Sequence, residues 1–338
     1  MSAYEPKSNE KVIIFGPTGA VGRAAAFAAS NAGAKVYLAM RDPSKAIPGL
    51  NQNDEQTAGL TRLRADLTDP TSLKQAIAES GATRAYVYTI FNSIDSMRSS
   101  FDALKEAGVK FVVLLSSHSV KGYARDAVNH EEMNFIPHVH ASAEIALEES
   151  GIEDFVAVRP AFFNSNIMWW KEGIKKGEVQ LLWGGKGGNE GEKEREGEKV
   201  VMLDWIAPED IGTVCGRLLA YPELRQSHKG KVMYLNGPKL LSLRQGLEIV
   251  AKIVNHPIHI TSISAEDFIN SSILPRPVAE AVVQGWKENS GPSVEGQEER
   301  GMYPKSEYGE AVGNLRRYLG KEPMQFEEWA QKNNYLFD

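Results

Sequence analysis

The segment Gly16–Gly22, with the sequence GPTGAVG, constrains the fold of this chain more than any other feature. The apolar run Val12–Phe15 precedes it, and an alanine-rich segment follows it through Ala32. A continuous apolar run is typical of a buried parallel strand, and glycines allow the backbone to turn tightly and to approach a ligand. A helix that begins at such a turn directs free N–H groups toward it, which favours a phosphate. The pattern therefore predicts a dinucleotide-binding strand, turn and helix.

Composition and charge narrow the classes of function. The content of 42% hydrophobic and 24% charged residues is that of an ordinary globular protein, and the net charge of −6 argues against a nucleic-acid-binding surface. We recognise neither a signal peptide nor a membrane-spanning run. The presence of a single cysteine, Cys215, fits a reducing compartment. Because Cys215 lies in a predicted amphipathic helix, we expect it to be buried. These features predict a cytosolic protein, with the nucleus as an alternative, and no direct nucleic-acid or membrane partner.

Strands and helices alternate through the first half of the chain. The predicted strands are Lys11–Phe15, Lys35–Met40, Leu60–Ala65, Arg84–Thr89, Lys110–Leu115 and Asp154–Val158. Predicted helices follow Gly19 and cover Thr71–Ser80, Ser93–Ala107 and Val139–Ser150, whereas Asn51–Gly59 and Val120–Phe135 are predicted loops. The alternation predicts an α/β fold with a doubly wound parallel sheet, the Rossmann fold. Because ligands bind outside the carboxyl ends of such strands, we expect residues 16–22, Arg41, Asp66, residues 89–91 and residues 116–118 to meet at one edge.

Charged residues after the second and third strands bear on the choice of dinucleotide. At the position of Arg41, an acidic side chain would hold the ribose 2′-hydroxyl of NAD, whereas a basic one accommodates the 2′-phosphate of NADP. Lys45 adds a second positive charge, so we predict NADP(H). If Asp42 instead of Arg41 occupied this position, after a slip of one residue, the site would favour NAD. Alternatively, Arg41 and Asp42 are an exposed pair at a turn that binds no ligand. Asp66 is expected either to accept a hydrogen bond from the adenine amino group, with Leu67 against the ring, or to be a simple turn residue.

The composition changes beyond Gly173. Segment Gly184–Lys199 is charged and of low complexity, which predicts a solvated surface loop between two short strands, with a lid as the alternative. We expect three segments to return to the Rossmann body: Val200–Ile206, a helix over Pro208–Tyr221, and Lys231–Leu235. Predicted helices over Ser242–Val254, Ala265–Ser272 and Val278–Glu288 form a smaller lobe. Segment Pro292–Ser306 is predicted to be turn-rich. We predict one domain over residues 10–163 that binds NADP(H) and a substrate lobe over residues 164–338. Within the second range, residues of about 200–237 are expected to belong to the Rossmann body again.

Aromatic residues concentrate after the sixth predicted strand, at Phe162, Phe163, Trp169 and Trp170. Such residues most often form ordinary core. They also lie just beyond the carboxyl end of a strand, where a pocket for an apolar or aromatic substrate would form. The sequence leaves both interpretations open.

These segments together resemble the NmrA-like family of atypical short-chain dehydrogenases/reductases. The resemblance extends from Lys11 to about Trp329 and includes the glycine turn, Arg41 with Lys45, Asp66–Leu67, Ser116–Ser117, Glu144–Gly151, Arg159–Asn164 and Trp205–Gly212. It implies a seven-stranded Rossmann body, NADP(H) as the cofactor and a small helical lobe above it. The family includes reductases of quinones, phenylpropanoids and fungal metabolites, and also inactive members that sense the NADP(H) ratio and bind transcription factors.

One position departs from the pattern of short-chain reductases. Many of them use Tyr-x-x-x-Lys, in which the lysine lowers the tyrosine pKa so that the hydroxyl can pass a proton. In this chain these positions hold Ile136 and His140. We expect His140 to hydrogen-bond the nicotinamide ribose, to act as a general acid with a pKa near neutrality, or to be a surface or capping histidine at the start of a helix. The nearby His130 and His138 lack cysteine or suitable carboxylate partners, so we predict no metal site.

Three functions stay open. We favour an NADPH-dependent oxidoreductase of a small apolar or aromatic carbonyl, enone or quinone, in which His140, Ser117 or Tyr123 supplies the proton. The alternatives are a non-catalytic NADP(H) sensor with a protein partner, and a non-redox isomerase or dehydratase. The substrate and the oligomeric state are not defined by the sequence. The residues predicted to bind the cofactor are Gly16, Thr18, Gly19, Ala20, Val21, Gly22, Arg41, Lys45, Asp66, Leu67, Thr89, Phe91, Ser116, His140, Pro160 and Phe162.

Overall fold

The structure, a computed structural model, describes residues 8–128, 134–182, 199–228, 231–289, 291–292 and 305–338. The strands are β1 (Lys11–Phe15), β2 (Lys35–Met40), β3 (Leu60–Arg64), β4 (Arg84–Tyr88), β5 (Phe111–Leu115), β6 (Asp154–Pro160), β7 (Glu178–Leu182), β8 (Lys199–Val200), β9 (Met202–Asp204), β10 (Val232–Leu235), β11 (Leu240–Ser242), β12 (His259–Ile263) and β13 (Gly291–Pro292).

The α-helices are α1 (Ala20–Asn31), α2 (Gln52–Thr57), α3 (Pro70–Ser80), α4 (Arg98–Glu106), α5 (Ala124–Val128), α6 (Phe135–Glu149), α7 (Lys171–Lys176), α8 (Pro208–Ala220), α9 (Pro222–Ser227), α10 (Leu243–Ile253), α11 (Ala265–Ser271), α12 (Arg276–Asn289), α13 (Lys305–Leu319) and α14 (Phe326–Lys332). Two 3₁₀ helices cover Asn164–Trp170 and Asn334–Phe337. Within the described ranges, no helix is both long enough and apolar enough to cross a bilayer.

Seven strands form one parallel sheet in the order β10-β6-β5-β4-β1-β2-β3. Helices α1, α8 and α13 contribute to the apolar core on one face of this sheet, and α3, α4 and α6 contribute to the core on the other face. Parallel strands covered on both faces are continuously apolar, and Val12, Ile13 and Ile14 of β1 are accordingly fully buried. This arrangement confirms the doubly wound α/β fold that the alternation predicted.

The strand order reverses between β1 and β4. From β1 the chain proceeds outward through β2 to β3 and then returns to β4 on the opposite side of β1. The connections therefore leave in opposite directions at this point, and a crevice lies outside the carboxyl ends of the two strands. The glycine turn follows β1 directly and borders this crevice.

A second apolar core belongs to the region after β6. It contains residues of the first 3₁₀ helix, β7, α10, α12 and α14. Strand β10 extends the main sheet, as expected for Lys231–Leu235, but β9 pairs with β11 in a separate antiparallel ladder. The expectation that Val200–Ile206 returns to the Rossmann body is therefore wrong for β9. The proposed domain boundaries stay a prediction.

Several element boundaries differ from the sequence prediction. The predicted loop Asn51–Gly59 contains α2, which Asn51 and Asp54 begin with a reciprocal capping box. The helix expected from Ser93 begins only at Arg98, because Ser96 and Met97 have positive φ angles that interrupt a right-handed helix.

Other differences lie further along the chain. The predicted loop Val120–Phe135 contains α5, and α6 begins at Phe135 instead of Val139. Helix α13, which overlaps the end of the segment predicted to be turn-rich, was not predicted. The charged segment predicted to be a surface loop lies, apart from Lys199, outside the described residues.

Candidate functional site

The glycine turn is a compact structure that needs glycine at two positions. Gly16 has a φ of +67°, a left-handed conformation that side chains disfavour. A Cβ atom on Gly22 would lie 2.5 Å from the Gly16 carbonyl oxygen, so α1 approaches the turn too closely for any side chain there. The first N–H groups of any α-helix lack an intrahelical acceptor. In α1 they also lack a side-chain acceptor, because the N-cap residue is Gly19.

A cleft of about 560 Å³ adjoins the turn at the ends of β1, β2 and β3. Arg41, Lys45, Asp66 and Leu67 all line it, together with Gly16 and Thr18 of the turn. Arg41 and Lys45 are exposed, whereas Leu67 is buried and provides an apolar wall. The structure therefore brings the residues predicted for the adenosine end together on one cleft.

The carboxylate of Asp42 is engaged within its own turn. Its Oδ1 accepts hydrogen bonds from the Ser44 backbone N–H at 2.9 Å and from the Ser44 hydroxyl at 2.6 Å. These bonds, that of the Ser44 side chain first, lower the pKa of Asp42 below its ordinary value. Asp66 has a similar local bond, because its Oδ1 accepts from the N–H and the hydroxyl of Thr68. Asp66 is therefore both a turn residue and part of the cleft wall.

A second cleft of about 390 Å³ lies on the other side of the turn. Ala20, Val21 and Gly22 line it from α1, and Leu115, Phe163 and Ser165 line it from the opposite side. Gly16, Thr18 and Tyr88 border both clefts. A dinucleotide that spans the two would therefore cross the glycine turn beside Tyr88.

The sequence prediction missed Tyr88. Its ring packs on Gly16, where an added Cβ would lie 2.6 Å from Tyr88 Cε1. Burial is the main cause that raises the pKa of Tyr88, and Arg41 opposes that shift. The position of Tyr88 at the end of β4 was the available signal, because this end borders the crevice at the reversal of strand order.

His140 is buried in α6 and belongs to neither a surface nor a helix cap, so that expectation is wrong. Its Nδ1 lies 3.1 Å from Thr89 Oγ1, and the Thr89 hydroxyl lies 3.0 Å from the Leu115 carbonyl oxygen. A carbonyl only accepts, so the threonine hydroxyl donates to Leu115 and must accept from His140 Nδ1–H. Burial first, and then Arg159, lowers the pKa of His140 to about 3. The expected general acid with a pKa near neutrality is therefore corrected to a neutral imidazole whose N–H is in use.

The groups beside His140 are also bonded to each other. Ser116 donates to Glu144, and Glu144 forms a two-pronged ion pair with Arg159, at 2.9 Å from Nε and 2.6 Å from Nη2. Arg159 is fully buried, and its Nη1 also donates to the carbonyls of Val120 and Gly122. This network holds β5, β6, α6 and the loop after β5 in one arrangement.

The other predicted catalytic and binding residues have different surroundings. Ser117 Oγ accepts hydrogen bonds from the N–H and the hydroxyl of Ser119, whereas Tyr123 is 79% exposed. Phe91 makes an edge-on contact with His140, with 5.3 Å between ring centroids. The Pro160 carbonyl accepts from the backbone N–H of His118 and lies 3.0 Å from its Nδ1.

The aromatic cluster divides between two roles. Phe162 and Trp170 are buried in the core after β6, where Phe162 packs edge-on against Trp205 at 4.9 Å between centroids. Phe163 is only partly buried and lines the second cleft. Phe162 is thus a core residue in this structure, while its neighbour Phe163 faces the crevice.

Among the described residues, no metal site forms around the remaining histidines or Cys215. His130 lies outside the described residues, and the described part of the chain has no group of at least three His, Cys, Asp or Glu residues suited to a metal. Cys215 is fully buried, and burial raises the pKa of its thiol far above the ordinary value. A buried thiol of this kind is unreactive.

The model of the NmrA-like family matches residues 8–314 of this chain. The chain belongs to the NmrA-like family. It is 31% identical over 339 residues to the nitrogen metabolite regulation-like protein bik4 of Gibberella fujikuroi. The alignment covers 95% of this chain and 96% of that protein.

Two solved structures share the fold over nearly the whole length. The NADPH-dependent quinone oxidoreductase QOR2 of Escherichia coli, complexed with NADPH, superposes with a TM-score of 0.65 at 18% identity, over 97% of this chain and 100% of that one. NmrA, a negative transcriptional regulator, superposes with a TM-score of 0.62 at 17% identity, over 96% of this chain and 95% of that one. The fold is therefore one that both a reductase and a regulator use.

Proposed function

We propose that this protein binds NADP(H) across the glycine turn and acts as a dinucleotide-responsive regulator of a protein partner, without turning the dinucleotide over. The observation that carries the second half of this proposal is the state of His140. This residue stands where related reductases keep a lysine, yet its imidazole is buried and neutral and donates its N–H to Thr89.

The residues at the crevice fit NADP(H) rather than NAD(H). The uncapped first turn of α1 would hold the pyrophosphate, with Gly22 allowing the close approach of the helix to the turn. Arg41 and Lys45 would hold the 2′-phosphate. Asp42, the residue that could instead select NAD, is engaged by Ser44. The NADPH that is bound to the related fold of QOR2 supports the same assignment.

Within the described ranges, the three residues predicted to supply the proton are poorly suited to proton transfer. A general acid needs a proton to release and a pKa near the working pH. The N–H of His140 is committed to Thr89, and Tyr123 lies largely in solvent. Ser117 keeps its hydroxyl proton, because it accepts from Ser119, but an unactivated serine hydroxyl is far too weak an acid for this role. The similarity to bik4 and to NmrA, a negative transcriptional regulator, supports a role that depends on binding alone.

One set of measurements tests this proposal. Calorimetric titration with NADPH, NADP⁺ and NADH should show binding with a preference for the two phosphorylated dinucleotides. With a broad panel of carbonyls, enones and quinones, the absorbance of NADPH should stay constant. Absence of binding would contradict the whole proposal, whereas substrate-dependent oxidation of NADPH would contradict only the regulatory half.

The partner is tested separately. Because a ligand shifts a protein between states only through a difference in affinity, capture of partners by the immobilised protein should differ between saturating NADP⁺ and saturating NADPH. The Arg41→Ala variant at the same dinucleotide concentration is the control and should lose this difference. Capture that is indifferent to the redox state would contradict the regulatory role.

The second cleft favours one alternative, an NADPH-dependent reductase of a small apolar carbonyl, enone or quinone. Leu115 and Phe163 give this cleft an apolar side that faces the start of α1. When bound, NADPH would supply a hydride, and the side chains of the cleft would orient the substrate. Turnover in the panel described above decides between this function and the regulator.

A further inference from the structure

Arg62 holds the loop that carries the two basic residues of the adenosine end. Its Nη1 donates to the carbonyl oxygen of Pro43 at 2.6 Å and to that of Lys45 at 2.8 Å. The loop is otherwise a short exposed connection after β2, in which Arg41, Asp42, Ser44 and Lys45 are all exposed. Two bonds from one guanidinium therefore fix the backbone on both sides of Ser44.

The Arg62 guanidinium also forms an ion pair with Glu55 of α2. Arg62 Nε donates to Glu55 at 2.7 Å, and Nη2 forms the second half of this two-pronged ion pair. The side chain of Glu55 is 9% exposed and that of Arg62 is 21% exposed, so water screens this pair less than a surface pair. Helix α2, with its capping box, thus provides a rigid base on which Arg62 stands.

We infer that Arg62 is a positioning residue for NADPH selectivity, with Glu55 as its support. Arg62 does not line the cleft, and it acts through the loop backbone on the side chains of Arg41 and Lys45. A long side chain on a loosely held loop must lose conformational freedom when it binds a phosphate, and a fixed backbone removes part of that cost. The inference rests on the proposed binding of NADP(H) at this cleft and identifies what makes that binding selective.

The inference separates the effects on two ligands. NADPH and NADH share every group except the 2′-phosphate, so loosening the loop should weaken NADPH and spare NADH. A residue that merely stabilises the fold would weaken both equally. The ratio of the two dissociation constants is therefore the readout.

The test is calorimetric titration of the full chain with NADPH and with NADH. We expect Arg62→Met to weaken NADPH binding about tenfold and NADH binding less than about twofold, since the lost bonds come from a charged donor. Glu55→Gln, which leaves Arg62 in place with a weakened support, should weaken NADPH binding about threefold. It keeps the inference testable if Arg62→Met does not fold.

Arg225 offers a matched control on another part of the molecule. It forms the same kind of two-pronged pair with Asp154, at 2.9 and 2.7 Å, and its Nη1 donates to the His228 carbonyl. Arg225→Met should leave the ratio of the two dissociation constants unchanged. In a chain that carries Arg41→Ala and Lys45→Ala, Arg62→Met should have no further effect on NADPH binding, because Arg62 acts only through those residues.

The possible failures are distinct. If the wild-type chain binds neither dinucleotide, the proposed function fails and the inference fails with it. If the wild-type chain prefers NADPH and both variants keep that preference, only the inference fails. Equal weakening of NADPH and NADH by the variants would also overturn it, since that result describes a structural residue.

Discussion

Charged side chains at the adenosine end of the crevice face solvent, whereas Glu144 and Arg159, which line neither cleft, are buried and bonded to each other. Arg41 and Lys45 are exposed on a cleft, and their loop is held from outside by Arg62. The adenosine end keeps charges available for a ligand, and the buried pair uses its polar groups to hold the fold.

Under the proposed function, this contrast separates a cofactor site that is kept from proton-transfer groups that are already committed to the fold. A buried network whose polar groups bond one another has little left to offer a substrate, because the donors of Ser116 and His140 and most of those of Arg159 already have acceptors. His140 illustrates the point, since its N–H serves Thr89. Four predictions test the contrast, in decreasing order of the change that each should produce.

The buried pair should dominate stability. Glu144→Ala leaves the Arg159 guanidinium, which is 0% exposed, without its carboxylate, and removal of one partner from a buried pair costs about 3–5 kcal/mol. Denaturant unfolding measures this loss. Glu106→Ala, which breaks the exposed pair with Lys74, is the control and should cost less than about 1 kcal/mol. Equal losses would mean that the network is not a structural centre.

Acid should destabilise the region that contains the two buried histidines. Burial is the main cause that lowers the pKa of His118 and of His140 from 6.5 to about 3. Between these values the unfolded chain binds protons that the folded chain does not, so stability is complete above about pH 6.5 and falls as the pH decreases. Each histidine should contribute a loss of about 1.4 kcal/mol per pH unit within this window.

The measurement is the free energy of unfolding at pH 7.5 and at pH 5.5. The variant His140→Asn keeps a donor for Thr89 and has no group that titrates, so it should lose the share of the dependence that His140 contributes. The shares of His118 and of His228, whose pKa burial also lowers, should stay. A wild-type free energy that is the same at both pH values would show that these imidazoles are already solvated.

Two glycines of the turn should separate stability from binding. Gly22→Ala places a Cβ atom 2.5 Å from the Gly16 carbonyl oxygen and should cost about 1–3 kcal/mol of stability. Gly19→Ala meets the same oxygen at 3.5 Å, an ordinary contact, and the backbone there suits any residue. It should cost at most about 1 kcal/mol of stability, because alanine is a poorer helix N-cap than glycine. It should weaken NADPH binding about tenfold, because the methyl group occupies the approach to the pyrophosphate. Unchanged binding of NADPH by Gly19→Ala would move the site away from this turn.

The smallest effect is expected at Tyr123. Its ring is 79% exposed, so Tyr123→Phe should change stability by less than about 0.5 kcal/mol and leave the dissociation constant of NADPH unaltered. Thermal unfolding and calorimetry measure both quantities. A clear loss of NADPH binding would show that Tyr123 closes over the ligand and would weaken the contrast between the adenosine end and the buried pair.

Elements with a strong local signal were predictable. The apolar run of β1 and the glycines after it fixed a strand, a turn and a helix, and Asp69 with Pro70 marked the start of α3, where Asp69 accepts from the N–H groups of Thr71 and Ser72. Helix α2 was missed because its six residues are polar and show no apolar periodicity. Its capping residues, Asn51 and Asp54, were the signal that could have revealed it.

Local sequence patterns specify the order of strands β1 to β6, the position of the glycine turn and the charges of Arg41 and Lys45. These features depend on local sterics, periodicity and residue type, all of which can be read from residues that are close in sequence. Contacts between distant segments set the state of His140, which meets Thr89 across 51 positions of sequence, and the bonds of Arg62, which meets Pro43 across 19. Whether a polar group is buried, and which partner satisfies it, depends on contacts between distant segments that no local pattern encodes.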